Sequence, residues 1–284
     1  MTTKSTQNKL VFGDNLPHLH KLATGSVQLI YVDPPFNTGN TQVKSSIRTV
    51  QSKSGDRVGF KGKTYSTQLI GQKSFEDSFT DFNAFIKPRL IEAHRVLSPT
   101  GSLYFHIDYR EVHYCKILLD KIFGRENFLN EIIWAYDYGA KPKNRWPAKH
   151  DNILFYVHNR NKYCFNADAI ERIPYMAPGL VSKEKAKMGK LPTDTWWHTI
   201  VSPTGKEKTG YPTQKPIGVL RRIILASSRP GDLVLDFFAG SGTTGVAAAQ
   251  LDRRFLLIDN NHDAIQVMRN RFEAEAIDYC QVAQ

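Results

Sequence analysis

Cysteine is scarce in this chain. The 284 residues include three, Cys115, Cys164 and Cys280. They are odd in number, widely spaced and without a Cys-x-x-Cys pair, which argues against a disulfide framework or a thiolate zinc cluster. Long apolar runs are also lacking. No stretch approaches the ~18–20 consecutive apolar residues of a membrane-spanning helix, and the polar start from Met1 to Lys9 lacks the apolar core of a secretory signal. A cytoplasmic protein without a membrane partner is expected. Nine histidines are present, but none falls in a metal pattern such as His-Glu-x-x-His, so no metal is expected. His106 and His150, at strand edges, read as packing or hydrogen-bonding groups.

Acidic residues are outnumbered, 27 Asp and Glu against 38 Lys and Arg, for a net charge of +11. The excess is local. Residues 41–73 hold seven basic residues against one acid and residues 138–215 hold fourteen against six, leaving the remainder slightly acidic. Aromatics interleave with this charge (Phe60, Tyr65, Trp146, Tyr163, Trp196, Trp197, Tyr211), as surfaces that stack on nucleic-acid bases require. The candidate contacts to a polyanion are Lys44, Arg48, Lys53, Arg57, Lys61 and Lys63 in the first segment. In the second they are Lys141, Lys143, Arg145, Lys183, Lys185 and Lys187.

Short apolar runs at 27–32, 102–107, 152–157, 233–238 and 255–258 read as strands buried on both faces. Helical spacing appears at 82–96, 111–122, 216–227 and 244–251. This alternation predicts an α/β fold, a doubly wound, mostly parallel sheet of seven strands with helices on both faces. Residues 41–73, rich in Gly, Ser and Lys, read as a long mobile loop. The proline-punctuated 158–212 reads as an inserted module. The chain then divides into 1–157, the insert 158–212, and 213–284.

The run from Asp232 to Gly245 is a strand, a small-residue turn and the start of an Ala-rich helix. Gly240, Gly242 and Gly245 satisfy G-x-G-x-x-G, and Asp259 closes the next strand, followed by Asn260. Such a turn lets a ligand touch the backbone of Phe238, Ala239, Gly240, Ser241, Gly242, Thr243 and Thr244 at a helix N-terminus, while the later carboxylate bonds ribose hydroxyls. NAD and S-adenosylmethionine both carry that ribose. Asp236 at the strand end favours the second, since it attracts an α-ammonium and repels a pyrophosphate. The Gly-Lys-Ser/Thr of a phosphate loop and a Gly-x-Ser-x-Gly elbow are both missing.

A second buried strand ends abruptly in Asp33, Pro34, Pro35 and Phe36. Two successive prolines stiffen the backbone and remove two N–H donors, so carbonyls and one carboxylate face outward as acceptors. This is a site for an amino group. Asp33 and the Pro34 carbonyl each accept one N–H of an exocyclic amine, and Phe36 stacks on the ring. No cysteine occupies this turn, which counts against carbon-5 cytosine methylation, a reaction that needs a thiolate.

With these motifs in this order, the chain resembles the amino-methylating DNA methyltransferases of the permuted, beta-class type. There an Asp-Pro-Pro-Tyr/Phe motif precedes a recognition region and a Phe-x-Gly-Ser-Gly cofactor loop. Further matching pieces are Gly13-Asp14-Asn15-Leu16, residues 101–108 and 149–156, and Tyr211-Pro212-Thr213-Gln214-Lys215-Pro216. The resemblance implies S-adenosylmethionine as cofactor, with Asp14 and Asn15 by its adenine, Asp259 at its ribose, and Thr213 and Lys215 near its methionine end. It implies double-stranded DNA as substrate and a flipped target base. Asp rather than Ser at position 33 points to N6 of adenine, with cytosine N4 as the alternative. A homodimer and a cognate restriction endonuclease are the partners expected by the same resemblance. Three rivals stay open at this point: an RNA or protein amino-methyltransferase, a nicotinamide-dependent oxidoreductase, and a DNA-binding protein on an inactive methyltransferase fold.

Overall fold

The computed structural model describes residues 8–39, 42–51, 57–58, 63–75, 77–139, 141–202, 205–272 and 277–281. In chain order the elements are β1 (Asn8–Phe12), α1 (Asn15–Lys21), β2 (Val27–Val32), β3 (Gln42–Gln51), β4 (Arg57–Val58), β5 (Thr64–Phe75), α2 (Phe82–Val96), β6 (Leu97–Ile107) and α3 (Val112–Phe123). There follow β7 (Phe128–Ala135), β8 (His150–Val157), α4 (Lys183–Met188), β9 (Thr195–Trp197), α5 (Ile217–Ser227), β10 (Leu233–Asp236), α6 (Thr243–Ala249), β11 (Arg254–Asp259), α7 (His262–Arg271) and β12 (Ile277–Gln281).

Nine strands form one sheet in the order β12-β1-β11-β10-β2-β6-β8-β7-β9. All neighbours are parallel except where β8 runs against β6 and β7. The expected seven strands become nine because the sheet gains short members outside the central apolar runs, such as β12 with the sequence IDYCQ and β9 with three residues. An edge strand is only half covered, so it leaves no continuous apolar run to read.

Side-chain alternation sorts the layers. Leu29, Tyr31, Tyr104, Phe155, Val234 and Leu257 share one core with Val219 and Leu220 of α5, Ala247 of α6 and Met268 of α7. The alternate positions Ile30, Val32, Phe105 and Leu154 are equally buried and face the layer of α1, α2 and α3. Each such side chain contributes about 1.5–3 kcal/mol by leaving water. The chain leaves β2 through α2 to β6 and leaves β10 through α6 to β11. The connections from these two neighbouring parallel strands thus leave in opposite directions, the arrangement that makes a crevice at the strands' carboxyl ends in open α/β sheets.

Residues 37–80 form a separate compact unit. Within it β3, β5 and β4 make an antiparallel sheet in the order β3-β5-β4, which corrects the reading of 41–73 as a loop. Ser, Thr, Gln and Lys dominate these strands, so no buried face marks them in the sequence. At the base of the unit the buried Asp77 accepts the Asn37 N–H at 2.7 Å and the Thr38 hydroxyl at 2.6 Å. Among the described residues, no helix is long and apolar enough to cross a membrane.

Candidate active site

Asp33 follows the last residue of β2, and Asp236 ends β10. Because these strands are paired neighbours, the topology itself brings the acceptor turn and the glycine loop to one crevice. The Tyr211–Pro216 stretch also reaches both. Tyr211 is buried and lies so close to Gly240 that a Cβ there would stand 3.3 Å from its ring. Four residues on, the Lys215 ammonium donates to Oδ2 of Asp33. Lys215 also sits 5.1 Å from the centre of the Phe36 ring. Pro34 is buried, and Pro35 and Phe36 are half-buried.

The other carboxylate oxygen of Asp33 is different. Oδ1 is buried and has no hydrogen-bond partner among the described residues, although His106 Nδ1 lies 3.8 Å away. A buried acceptor without a donor costs about 1–3 kcal/mol, so this oxygen marks a place where a donor belongs.

The glycine loop is shaped by two carboxylates. Asp236 accepts the Phe238 N–H at 3.1 Å and the Thr244 hydroxyl at 2.6 Å. Burial, reinforced by the charges of Asp33 and Asp259, pushes its carboxyl up to about 7. Asp259 accepts N–H groups of Gly240 at 2.7 Å and Asn261 at 2.8 Å, and burial pushes its carboxyl up to about 6. Two carboxyls raised by the loss of water, one of them also by the charge of Asp33, make a crevice that favours a cation, since a positive charge would restore their ionised form. Gly240 and Gly242 have φ of +51° and +74°, the left-handed region that a Cβ disfavours. Ser241, Thr243 and Thr244 are buried at the start of α6, with the Ser241 and Thr243 hydroxyls 3.1 Å apart, whereas Thr213 and Asn260 are exposed.

Asp14 caps α1 and Asn15 is its first residue, and both work through a partner that sequence reasoning missed. Arg89 of α2 donates to Asn15 Oδ1 at 2.6 Å and to Asp14 at 2.9 Å, and Asn15 donates to the Phe237 carbonyl at 2.6 Å. The entrance to the glycine loop is thereby tied to α2. Arg89 shares the buried stripe of α2 with Phe82, Ile86, Leu90 and Ala93. An arginine on an apolar stripe was the available signal, because buried charge is kept only where it is paired.

Residues 27–270 match the model of the DNA methylase family, N6_N4_Mtase. The chain belongs to this family. It is 32% identical over 272 residues to the DNA adenine methyltransferase YhdJ of Escherichia coli K12, covering 93% of this chain and 82% of that one. It is 29% identical over 270 residues to the type II methyltransferase M.HpaI of Haemophilus parainfluenzae, covering 94% and 74%. The fold is similar to that of TTHA0409 of Thermus thermophilus in complex with S-adenosyl-L-methionine, with a TM-score of 0.60 at 20% identity over 98% of this chain and 99% of that one.

The methylase places its basic residues unevenly. Lys141, Lys143 and Arg145, between β7 and β8, are exposed, as are Lys183, Lys185 and Lys187 on α4. Lys63 is exposed in the separate unit, where Lys44, Arg48 and Arg57 stand on strands, and Lys53 and Lys61 lie outside the described residues. The two neighbouring tryptophans divide their work. Trp196 is buried, donates to the Thr193 carbonyl at 2.7 Å and carries the Arg222 guanidinium 4.9 Å from its ring, so it packs β9 against the main core, whereas Trp197 is 78% exposed.

Proposed function

We propose that this methylase transfers a methyl group from S-adenosylmethionine to the exocyclic N6 of adenine in duplex DNA, on a base turned out of the stack, and that its motifs follow the permuted, beta-class order. The observation that carries this reading is Oδ1 of Asp33, a buried acceptor without a donor beside an ammonium-fixed Oδ2. An exocyclic amine supplies the missing donor. Its second N–H goes to the Pro34 carbonyl, and Phe36 covers the ring face. Asp33 then stabilises the positive charge that grows on the nitrogen as it is methylated. No strong base is needed, because the methylated amine is acidic and releases its proton readily.

S-adenosylmethionine supplies an electrophilic methyl group when bound. The crevice fits it: Asp236 and Asp259 favour a cation, and Gly240 bares backbone beside Tyr211 where a Cβ would intrude. Ser241, Gly242, Thr243 and Thr244 would hold its methionine end with Thr213, and Asp14, Asn15, Phe238, Ala239 and Asn260 its nucleoside. Adenine is favoured over cytosine by the carboxylate at position 33 and by the adenine named for the E. coli relative. The exposed cations of 141–145 and of α4 serve as phosphate contacts that position the duplex without reading it.

The test is to incubate the protein with labelled S-adenosylmethionine and mixed-sequence duplex DNA, digest to nucleosides and identify the labelled one by mass. Labelled N6-methyladenine is expected. N4-methylcytosine would reassign the base, and unlabelled DNA would overturn the reading.

A further inference from the structure

Behind Asp33 lies a buried polar chain that the chemistry above does not use. His106 of β6 is fully buried. Its Nε2 stands 3.2 Å from Asp151 Oδ2, whose other oxygen accepts the Tyr136 hydroxyl at 3.0 Å. Its Nδ1 stands 2.7 Å from the Tyr31 hydroxyl and 3.8 Å from the open Oδ1 of Asp33. Trp134 and Phe36 close the ring in, at 5.5 and 5.7 Å between centres.

Charge decides where the protons sit. Burial acts to raise the Asp151 carboxyl, but the hydrogen bond from His106, the charge that the ring carries when protonated, the Lys215 charge and the Tyr136 hydroxyl outweigh it and hold the group below its usual range. Burial first, and then the charges of Asp33, Asp236 and Asp151, push the Tyr31 phenol well up. Asp151 therefore has no proton to give, so Nε2 carries one, and Tyr31 keeps its own. In neutral His106 the remaining nitrogen, Nδ1, is an acceptor and takes the Tyr31 O–H. This tautomer is the one that leaves Asp33 Oδ1 without a partner. A second proton on the ring would put an N–H donor on Nδ1 between the Tyr31 oxygen and a carboxylate, and the charged acceptor makes the stronger bond.

We propose that His106 is a positioning residue that sets whether Asp33 can take the substrate amine: the neutral ring leaves Oδ1 open, and the imidazolium donates to Oδ1 and closes it. The proposal rests on the reading of Asp33 as the amine acceptor. The groups that face the ring act in opposite senses. Asp33 at the end of β2 and Asp151 on β8 favour the imidazolium. Lys215, ahead of α5, opposes it, and so does the Tyr31 hydroxyl, which hydrogen-bonds the neutral form. Trp134 of β7 and Tyr136, the residue after that strand, bring no charge.

The test is the pH profile of single-turnover methyl transfer at saturating S-adenosylmethionine and DNA, from pH 5 to 8. The wild type is expected to lose activity on the acid side. Tyr31→Phe, which removes the donor that favours the neutral ring, should move that limb to higher pH. Asp151→Asn, which removes the carboxylate that favours the imidazolium, should move it to lower pH. Each unit of displacement changes the rate on the limb about tenfold. Tyr31→Phe is nearly isosteric and suffices alone if Asp151→Asn does not fold. An active wild type whose limb coincides with that of Tyr31→Phe, or variants displaced in the same direction, would overturn the role of His106 and leave methyl transfer standing. A wild type without transfer at any pH would overturn both.

Discussion

Lys215 and Asp33 meet across 182 residues of sequence, with side chains only 12% and 16% exposed. A pair this dry contributes little net stability, since taking two charges out of water costs about what their attraction returns. Its effect is orientation. The ammonium takes one oxygen of the carboxylate and leaves the other without a donor among the described residues.

Removing one partner strands the other. Lys215→Met should destabilise the protein by about 3 kcal/mol, and Asp33→Asn combined with Lys215→Met should recover most of that loss. Thermal melts of the two single variants and the double variant complete the cycle. Additive losses would show that the two side chains are not coupled.

The glycines of the loop should differ in cost. A Cβ at Gly242 would stand 2.7 Å from Met268 Cγ, in addition to its positive φ, whereas at Gly240 the nearest atom is 3.3 Å away in the Tyr211 ring. Gly242→Ala should cost more than the ~1–3 kcal/mol of backbone strain alone. Gly240→Ala should cost less and act mainly on affinity for S-adenosylmethionine. Denaturant unfolding and calorimetric titration of both variants check this, and equal stability losses would contradict it.

Asp236 makes stability depend on pH with a definite sign. Its folded carboxyl is raised to about 7, chiefly by burial, from an unfolded value of about 3.9. The folded state therefore holds the proton more tightly, and the stability so gained is present below pH 4 and lost as pH rises through 7. Asp259, raised to about 6, acts in the same direction over a narrower window. Asp236→Asn should gain stability relative to the wild type as pH rises from 5 to 8. Parallel melting curves across that range would count against a buried, raised carboxyl.

The exposed cations between β7 and β8 should appear in the salt dependence of DNA binding. Each phosphate contact contributes about 0.9 to the slope of log affinity against log salt. Replacing Lys141, Lys143 and Arg145 together by Ala should flatten the slope by up to about 3 on this basis, and an unchanged slope would remove that segment from the interface.

Much of the central fold was legible because its strands are buried on both faces. β2 and α2 fall on the residues that their patterns mark, and the turns after β2 and β10 announce themselves through proline and glycine. What was hidden had a common physical cause. β12, β9 and the strands of the 37–80 unit carry polar or short sequences, since sheet edges and a small polar sheet need no continuous apolar run. The resemblance implied a place for Lys215 near a cofactor, but its ion pair with Asp33 depends on two distant segments meeting in space. His106 read as a packing or hydrogen-bonding group, but its partners Tyr31 and Asp151, with Asp33 nearby, surround it only after the sheet is formed.

The most direct test of the central claim, that the free oxygen of Asp33 receives the amine, is Asp33→Asn assayed for both methyl transfer and affinity for S-adenosylmethionine at a temperature where the variant is folded. The account predicts a loss of about 10²–10³-fold or more in single-turnover transfer, the scale of removing one oriented electrostatic group, with cofactor affinity nearly unchanged. Transfer at the wild-type rate, or cofactor affinity falling as far as the rate does, would contradict it.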